Sequence, residues 1–487
     1  MKTHSDIRLI QDVAIALTSV FGEDKVAYPD SPAYQKSLAS YYSVQQATIR
    51  PAYIVFPRTV EDVADAVKTL AKKGPSISFA VRSGGHTGWA GASNIAGGVT
   101  LDLTGLNDIE VTQEGTVVRV GTGATWDAVY QKLDPLGRTV AGGRVAGVGI
   151  GGLTLGGGIS HLSPQHGWTC DTVLNFQVVL SDGQVVDANA DENADLFWAL
   201  RGGGGNFGIV TRIDLQTFEQ GLLWHASVMR DTSVLDADIK EFVRLSTAED
   251  YDEHASFILC FAHIGAMGKS VLVDTLVHTK GEENPPFYRN LMNLPAIQKS
   301  TGLKSMSTLS IETVAMAPKG SRSLWRTHTI LSTEAVLHAI YAVWNDAVSA
   351  IKDVPGIVWL LMFDPVPPTF YARHADANAM GLTGRDGAAL LVILMQVEWR
   401  NEADNELVNS TAKIMMNNIE KEATALGAYD PFVFLNYAMP DQNPIASYGE
   451  ENVRRLVAVR DRVDPAGMFT KQVPGGTRSP VHNAAGP

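Results

Sequence analysis

Nine of the seventeen residues from Gly142 to Gly158 are glycine, in the run GGRVAGVGIGGLTLGGG. Two more glycine clusters flank it, Arg82-Ser83-Gly84-Gly85-His86 upstream and RGGGGNFG, residues 201–208, downstream. Glycine reaches φ > 0 without strain and lets a ligand lie directly on main-chain N–H groups. Consecutive N–H groups in such turns make concave anion sites. Three of them between residues 82 and 208 imply a long, flat, anionic ligand held by backbone, and a dinucleotide fits. Residues 147–152 also spell G-x-G-x-x-G, but a nicotinamide Rossmann site needs a strand before that motif and a helix after it. Residues 139–144 make a poor strand and the glycines at 156–158 would break the helix, which argues against nicotinamide.

The elements that must hold these loops follow from periodicity. Residues 50–75 read as a short strand and then a helix, with Thr59 as N-cap before Val60, Val63, Ala64 and Val67. Residues 76–82 form a strand that runs straight into the first glycine loop. Strands at 99–103 and 117–120 follow, then a helix over 126–133. Residues 175–188 read as a hairpin about Asp182-Gly183, a pair suited to a type I′ turn. A helix at 194–200 enters the third cluster, and a strand at 209–218 leaves it. From 221 to 429 glycine thins out. FILCFAHI, SVLVDTLV, IVWLLMF and ALLVILMQVEW read there as strands of a broad sheet, with helices near 236–245, 333–350 and 403–426. PFVFLNY then reads as a strand, and the segment from Ser447 as a helix stopped by Asp464-Pro465. The expected layout is a cofactor domain over 1–220, a substrate domain over 221–429, and a segment over 430–487 that returns to the first. Its tail is expected to be disordered from about 474.

Bulk composition narrows the partners. With 487 residues, 45% of them apolar, 19% charged and a net charge of −13, nucleic acid and anionic membranes are poor partners. Two cysteines, Cys170 and Cys260, give neither a disulfide framework nor a metal pair, and no metal is expected. The first 22 residues read as an amphipathic helix on Ile7, Ile10, Val13, Leu17 and Phe21, not as a signal peptide, so a cytoplasmic protein is expected.

In their order, RSGGH at 82–86, GGRVAGVGIGGLTLGGGIS at 142–160, DLFWALRGGGGNFGIVT at 195–211, NYA at 436–438 and YGEENVRRLVAVRDRVDPAGMF at 448–469 carry a resemblance. Together they resemble the berberine-bridge-enzyme group of FAD-linked oxidases, within the vanillyl-alcohol-oxidase and p-cresol-methylhydroxylase superfamily. The segment ADANAMGL is most similar to fungal members. The resemblance implies an α+β fold: a two-subdomain FAD-binding domain of the p-cresol-methylhydroxylase type, plus a substrate domain with a large antiparallel sheet flanked by helices. It implies FAD bonded covalently through His86. Val145 occupies the place of the cysteine that makes a second bond in some members, so attachment through His86 alone is expected.

The same resemblance assigns the cofactor contacts. Arg82, Ser83, Gly84, Gly85 and Thr87 fall on the pyrophosphate turn. Val145, Val148, Gly149, Gly151, Gly152, Gly157, Gly158 and Ile159 fall on the loop under the isoalloxazine, and Gly208, Ile209 and Val210 close the other side. Asn436, Tyr448 and Asn452 match positions that pack near the flavin. Val148 stands where valine admits O₂, which implies an oxidase releasing H₂O₂. Flavin oxidation needs a base beside the reacting C–H bond. Tyr437 of the Asn-Tyr pair is the first candidate, followed by Glu398 at the end of an apolar strand, Asp364 between Phe363 and Pro365, and His374. The expected activity is oxidation of a small organic alcohol, amine or secondary-metabolite intermediate by a monomer or homodimer. An oligosaccharide oxidase, or a flavin-bearing cyclase or binder without net redox change, are the alternatives.

Overall fold

Thr59 opens the helix Val60–Lys73 as its spacing requires. Its hydroxyl accepts the Asp62 amide at 3.2 Å while the Asp62 carboxylate accepts the Thr59 amide at 3.2 Å, a capping box. The helix Val60–Lys73 buries Val63, Ala64, Ala66, Val67 and Leu70 in one cluster with Val13, Leu17, Phe21, Val55, Phe79, Val99 and Leu101. This is a computed structural model, and it describes residues 4–112, 114–315, 320–385 and 387–476, the side chains of 4–10 and 315 excepted. Ile7 and Ile10, and the tail expected to be disordered, therefore fall on side chains or residues outside the description, save 474–476.

Among the described residues three large sheets organise the chain, and a two-stranded one pairs Arg138–Thr139 with Phe218–Glu219. The first orders Val26–Ala27, Tyr53–Val55, Val99–Asp102 and Phe79–Arg82, the last two parallel, so that Phe79–Arg82 delivers the RSGGH turn. The second orders Ile109–Val111, Val117–Gly121, Ile209–Gln216, Val173–Val179 and Val185–Asn189, all antiparallel. Its last hairpin corrects the type I′ expectation. Only Gly183 has positive φ (79°), and its amide donates to Leu180 O, so a wider loop closes with glycine as the left-handed residue. Asp182 stays at negative φ and accepts the Gln184 amide at 2.9 Å instead.

The third sheet has eight antiparallel strands: Gln298–Lys304, Leu223–Asp231, Lys269–His278, Ala255–Ile264, Val358–Val366, Leu390–Trp399, Arg322–Leu331 and Tyr429–Asp430, in that spatial order. Alternation decides its faces. Leu259, Phe261, Trp359, Leu361, Phe363, Ile393, Met395 and Val397 bury against the helices Leu235–Ser246, Glu334–Ile351 and Asn405–Ala425. The opposite face carries Asp364, Met362 and Leu360 beside Val392, Leu394 and Gln396, with Glu398 opposite Val358 and Ser323. PFVFLNY is not a strand: Pro431 has no N–H to give a ladder, Asp430 accepts the Phe432 amide at 2.9 Å, and Leu435–Tyr437 closes as a 3₁₀ turn. The helix Glu450–Val463 packs Leu456, Val459 and Val463 into the cluster of Trp126 and Leu196, while Met468 and Phe469 join the first sheet. Among the described residues no helix is long and apolar enough to cross a membrane.

Candidate active site and cofactor cradle

The three glycine loops meet. A Cβ on Gly84 would stand 2.4 Å from the Gly149 amide nitrogen, and one on Gly149 would stand 2.3 Å from that of Gly84, so the first and second loops touch backbone to backbone. Ser83 Oγ donates to Thr122 O at 2.5 Å and accepts the Gly151 amide at 3.3 Å, while Thr122 Oγ1 donates to Val210 O at 2.7 Å. That chain of bonds ties the first loop to the second and to the strand after Gly208, where Ile209 and Val210 are buried. Gly85 takes φ 68° against the Tyr41 ring. The amides of Gly84, Gly85, His86 and Thr87 donate to no protein acceptor among the described residues, which leaves a run of N–H groups free for an anion. Gly152 and Gly205 have open space where a side chain would stand. A pyrophosphate and a flat ring system fit this cradle.

Arg82 directs its terminal guanidinium nitrogens to protein acceptors. Buried at 2% exposure, it donates to Ser37 O (2.7 Å), Ser40 O (3.1 Å) and Ser40 Oγ (2.7 Å), pairs with Asp102 at 3.3 Å and lies over the Tyr41 ring. It fastens the loop from behind. Asn436 staples the second loop: its Oδ1 accepts the Gly158 amide at 3.1 Å and its Nδ2 donates to Gly152 O at 3.1 Å. Gly157 and Gly158 hold φ 109° and 79°, and Met380 fills the space beside Gly157 and Gly202. Tyr448 donates to Gly202 O at 2.9 Å and Asn452 donates to Ala379 O at 3.3 Å, so both brace the third loop and the ADANAMGL segment. Val145 and Val148 are half-buried, and Val148 O accepts the Trp126 amide at 3.1 Å.

Tyr437 and Asp364 come together. Tyr437 Oη donates to Asp364 Oδ2 at 3.2 Å, and Arg144 spans both, donating from Nη1 to Asp364 Oδ1 at 2.7 Å and from Nη2 to Tyr437 Oη at 2.9 Å. Asp364 is 3% exposed. Burial, and then the Asp364 charge, push the Tyr437 phenol upward, with Arg144 opposing. Burial is the largest single influence and works against the Arg144 charge, but Asp364 and Tyr437 together outweigh it and raise the guanidinium. Beside this group Ile159, Ser160, Ser163, Ser256 and Pro365 line a small cavity.

Glu398 lies elsewhere on the sheet. It accepts Tyr42 Oη at 2.7 Å and Gln396 Nε2 at 3.1 Å, and burial raises its pKa against those two bonds. The Tyr42 ring lies on the His86 imidazole, centroids 4.3 Å apart, with Trp325 5.9 Å from His86 on another side. Burial lowers His86 to about 4, so its imidazole is neutral at pH 7. His374 sits apart from both groups, half-buried against Gly167, lowered by burial and by Arg201 and Arg373. The sequence reading therefore missed Arg144, Tyr42 and Trp325. Arg144 had a signal, as the one charged residue in the seventeen-residue glycine run. Tyr42 had none, because a tyrosine 44 places before His86 reaches it only through tertiary packing. No cluster of three or more His, Cys, Asp or Glu suited to a metal occurs among the described residues.

Residues 51–189 match the FAD binding domain family. The chain is 35% identical to an FAD-dependent monooxygenase of Fusarium proliferatum, over 97% of this chain and 95% of that protein. The chain belongs to the FAD-dependent oxidoreductase family of that protein. It is also 42% identical, over 98% of its length, to a protein of Diaporthe leptostromiformis named as an oligopeptidase, of which it spans only 38%. Among solved structures, 6-hydroxy-D-nicotine oxidase from Arthrobacter nicotinovorans superposes with a TM-score of 0.78 at 23% identity, over 92% of this chain and 96% of that one. Glucooligosaccharide oxidase from Acremonium strictum, described with a 6-S-cysteinyl, 8α-N1-histidyl FAD, superposes with 0.74 at 19% identity, over 93% and 97%. The mixed helix-and-sheet fold with its large antiparallel sheet is the fold of these FAD oxidases.

Proposed function

We propose that this chain is an FAD-linked oxidase of small organic molecules (alcohols, amines or secondary-metabolite intermediates) that passes electrons to O₂ and releases H₂O₂. FAD lies along the three loops and is bonded through His86 alone, since Val145 has no thiol to offer. The division into 1–220 and 430–487 for the cofactor and 221–429 for the substrate belongs to the same reading. The observation that carries it is the Arg144–Tyr437–Asp364 constellation, set at the edge of the glycine loop and under the sheet. When bound, FAD supplies the hydride acceptor.

The chain's own residues handle the proton. Tyr437 Oη takes the proton of the substrate O–H or N–H while its phenolic proton passes along the 3.2 Å bond to Asp364, so no free tyrosinate has to form. Arg144, bonded to both side chains, keeps Asp364 and Tyr437 aligned for the transfer, which leaves Asp364 protonated and neutral. Glu398 and His374 lie outside this path. The test is Tyr437→Phe: kcat should fall by roughly 10²–10⁴ with the covalent flavin content unchanged, and a loss of only a few-fold removes Tyr437 from the mechanism. Filtration after denaturation tests attachment, because yellow colour in the filtrate contradicts it. Peroxide release on admitting air to the anaerobically reduced protein tests the acceptor.

A further inference from the structure

Glu398 is 2% exposed, and its second carboxylate oxygen, Oε2, has no hydrogen-bond partner among the described residues. Ser323 Oγ and Trp325 Nε1 are likewise buried and unpartnered. Ser323 faces Glu398 across the strand pair, and a Cβ on Gly88 would stand 3.0 Å from Ser323 Oγ and 3.4 Å from Trp325 Nε1. Three unsatisfied polar atoms thus gather where the sheet covers the RSGGHTG turn. Unsatisfied buried groups of this kind cost stability and point to a use. Tyr42 connects them to the histidine, with its ring on the imidazole and its hydroxyl ending on Glu398. His86 itself makes no hydrogen bond among the described residues. Its neutral ring is held by stacking alone, with its lone pair free.

We propose that Tyr42 and Glu398 form the attachment device for the flavin: Tyr42 sets the plane of the His86 imidazole, and Glu398 receives the proton released as the bond to the cofactor forms. This rests on the reading that His86 carries FAD. In the step an N–C bond forms between the imidazole and the 8α carbon. One proton leaves that carbon and one leaves the imidazole. The electron pair of the broken C–H bond stays on the ring system, which ends reduced by two electrons and two protons, and dioxygen restores it as hydrogen peroxide forms. Glu398 is the transient carrier for the imidazole proton, reached through the Tyr42 hydroxyl that ends on it. The assignment separates two acidic groups of the sheet: Asp364 serves the substrate, Glu398 the cofactor.

The experiment follows covalent incorporation rather than turnover. Protein produced under flavin limitation is mixed with FAD, and the bound fraction is read by intact mass and by flavin fluorescence in denaturing gels. Wild type should gain the cofactor's mass. Glu398→Gln should bind FAD reversibly but incorporate it at least about a hundredfold more slowly, the lower end of general-base assistance. Tyr42→Phe, which keeps the ring and loses the pin on Glu398, should be slowed to a lesser degree. Glu398→Asp should recover part of the rate. Wild-type incorporation by Glu398→Gln overturns the proposal, and so does loss of reversible FAD binding in both variants, which would make the pair structural. A wild type that releases all its flavin on denaturation overturns the attachment reading itself and this device with it.

Discussion

Replacing Arg144 by Met removes the one cation among the described residues that meets Asp364, leaving there a carboxylate at 3% exposure with only the Tyr437 hydroxyl against it. Breaking a buried pair from one side costs roughly 3–5 kcal/mol, because a charge is stranded in low dielectric. Tyr437 still donates to Asp364, so the lower end, about 3 kcal/mol, is expected. Removing both charges in Arg144→Met/Asp364→Asn leaves no stranded ion. The double variant should therefore regain about 2 kcal/mol or more of what the two single changes would lose if added. Guanidinium unfolding of the flavin-loaded protein, with midpoints compared at constant slope, gives the four free energies. Activity answers separately. Arg144→Met should cut kcat by about 10²–10³, the usual loss on deleting one preorganised donor beside a reacting oxygen. Additive single losses, with coupling below about 0.5 kcal/mol, would refute the claim that the ion pair is a unit.

Gly84→Ala places a methyl 2.4 Å from the Gly149 amide nitrogen, so stability should fall by about 1–3 kcal/mol and FAD uptake should drop, read by flavin absorbance of the purified protein. Asn436→Ala frees the Gly158 amide and Gly152 carbonyl, and FAD retained after a denaturant challenge short of unfolding should decrease. His225 and His328 are buried and lowered to about 4, first by burial. Between pH 6.5 and 4 the unfolded chain binds protons that the folded chain refuses, so stability must drop as pH falls. Each histidine costs about 2 kcal/mol at pH 5, and Tm measured from pH 7 to 5 should fall less in His328→Phe than in wild type.

The sequence carried the loops and the strands of strong alternation because both signals are local. Thr59 with Asp62 marks a helix start, and the glycines mark positive φ at Gly85, Gly157 and Gly158. The strands Leu223–Asp231, Gln298–Lys304 and Arg322–Leu331 escaped notice, since Gln298–Lys304 is a mostly exposed edge strand and SLWRTHTIL mixes polar residues onto a covered face. The site residues divided the same way. His86, Asn436 and Tyr437 sit in motifs, while the partners that give them a chemistry come from distant segments. Glu398 stood out only as a carboxylate at the end of an apolar strand, and the packing of Tyr42 showed which end of the sheet face it serves. PFVFLNY misled because apolar alternation imitates a strand where Pro431 denies one.

Arg144 and Tyr437 are 293 residues apart in the chain. At roughly 5–20 residues per second of ribosomal synthesis, the guanidinium is made about 15–60 s before the hydroxyl it will meet. Asn436, which clasps Gly158 and Gly152, arrives equally late. During that interval the glycine loop has its nest but lacks its fastener and its proton acceptor. Vitamin capture therefore belongs to the closing moments of biogenesis, and a polypeptide cut short before residue 436 would have the turns of the cradle without the means to keep anything in it.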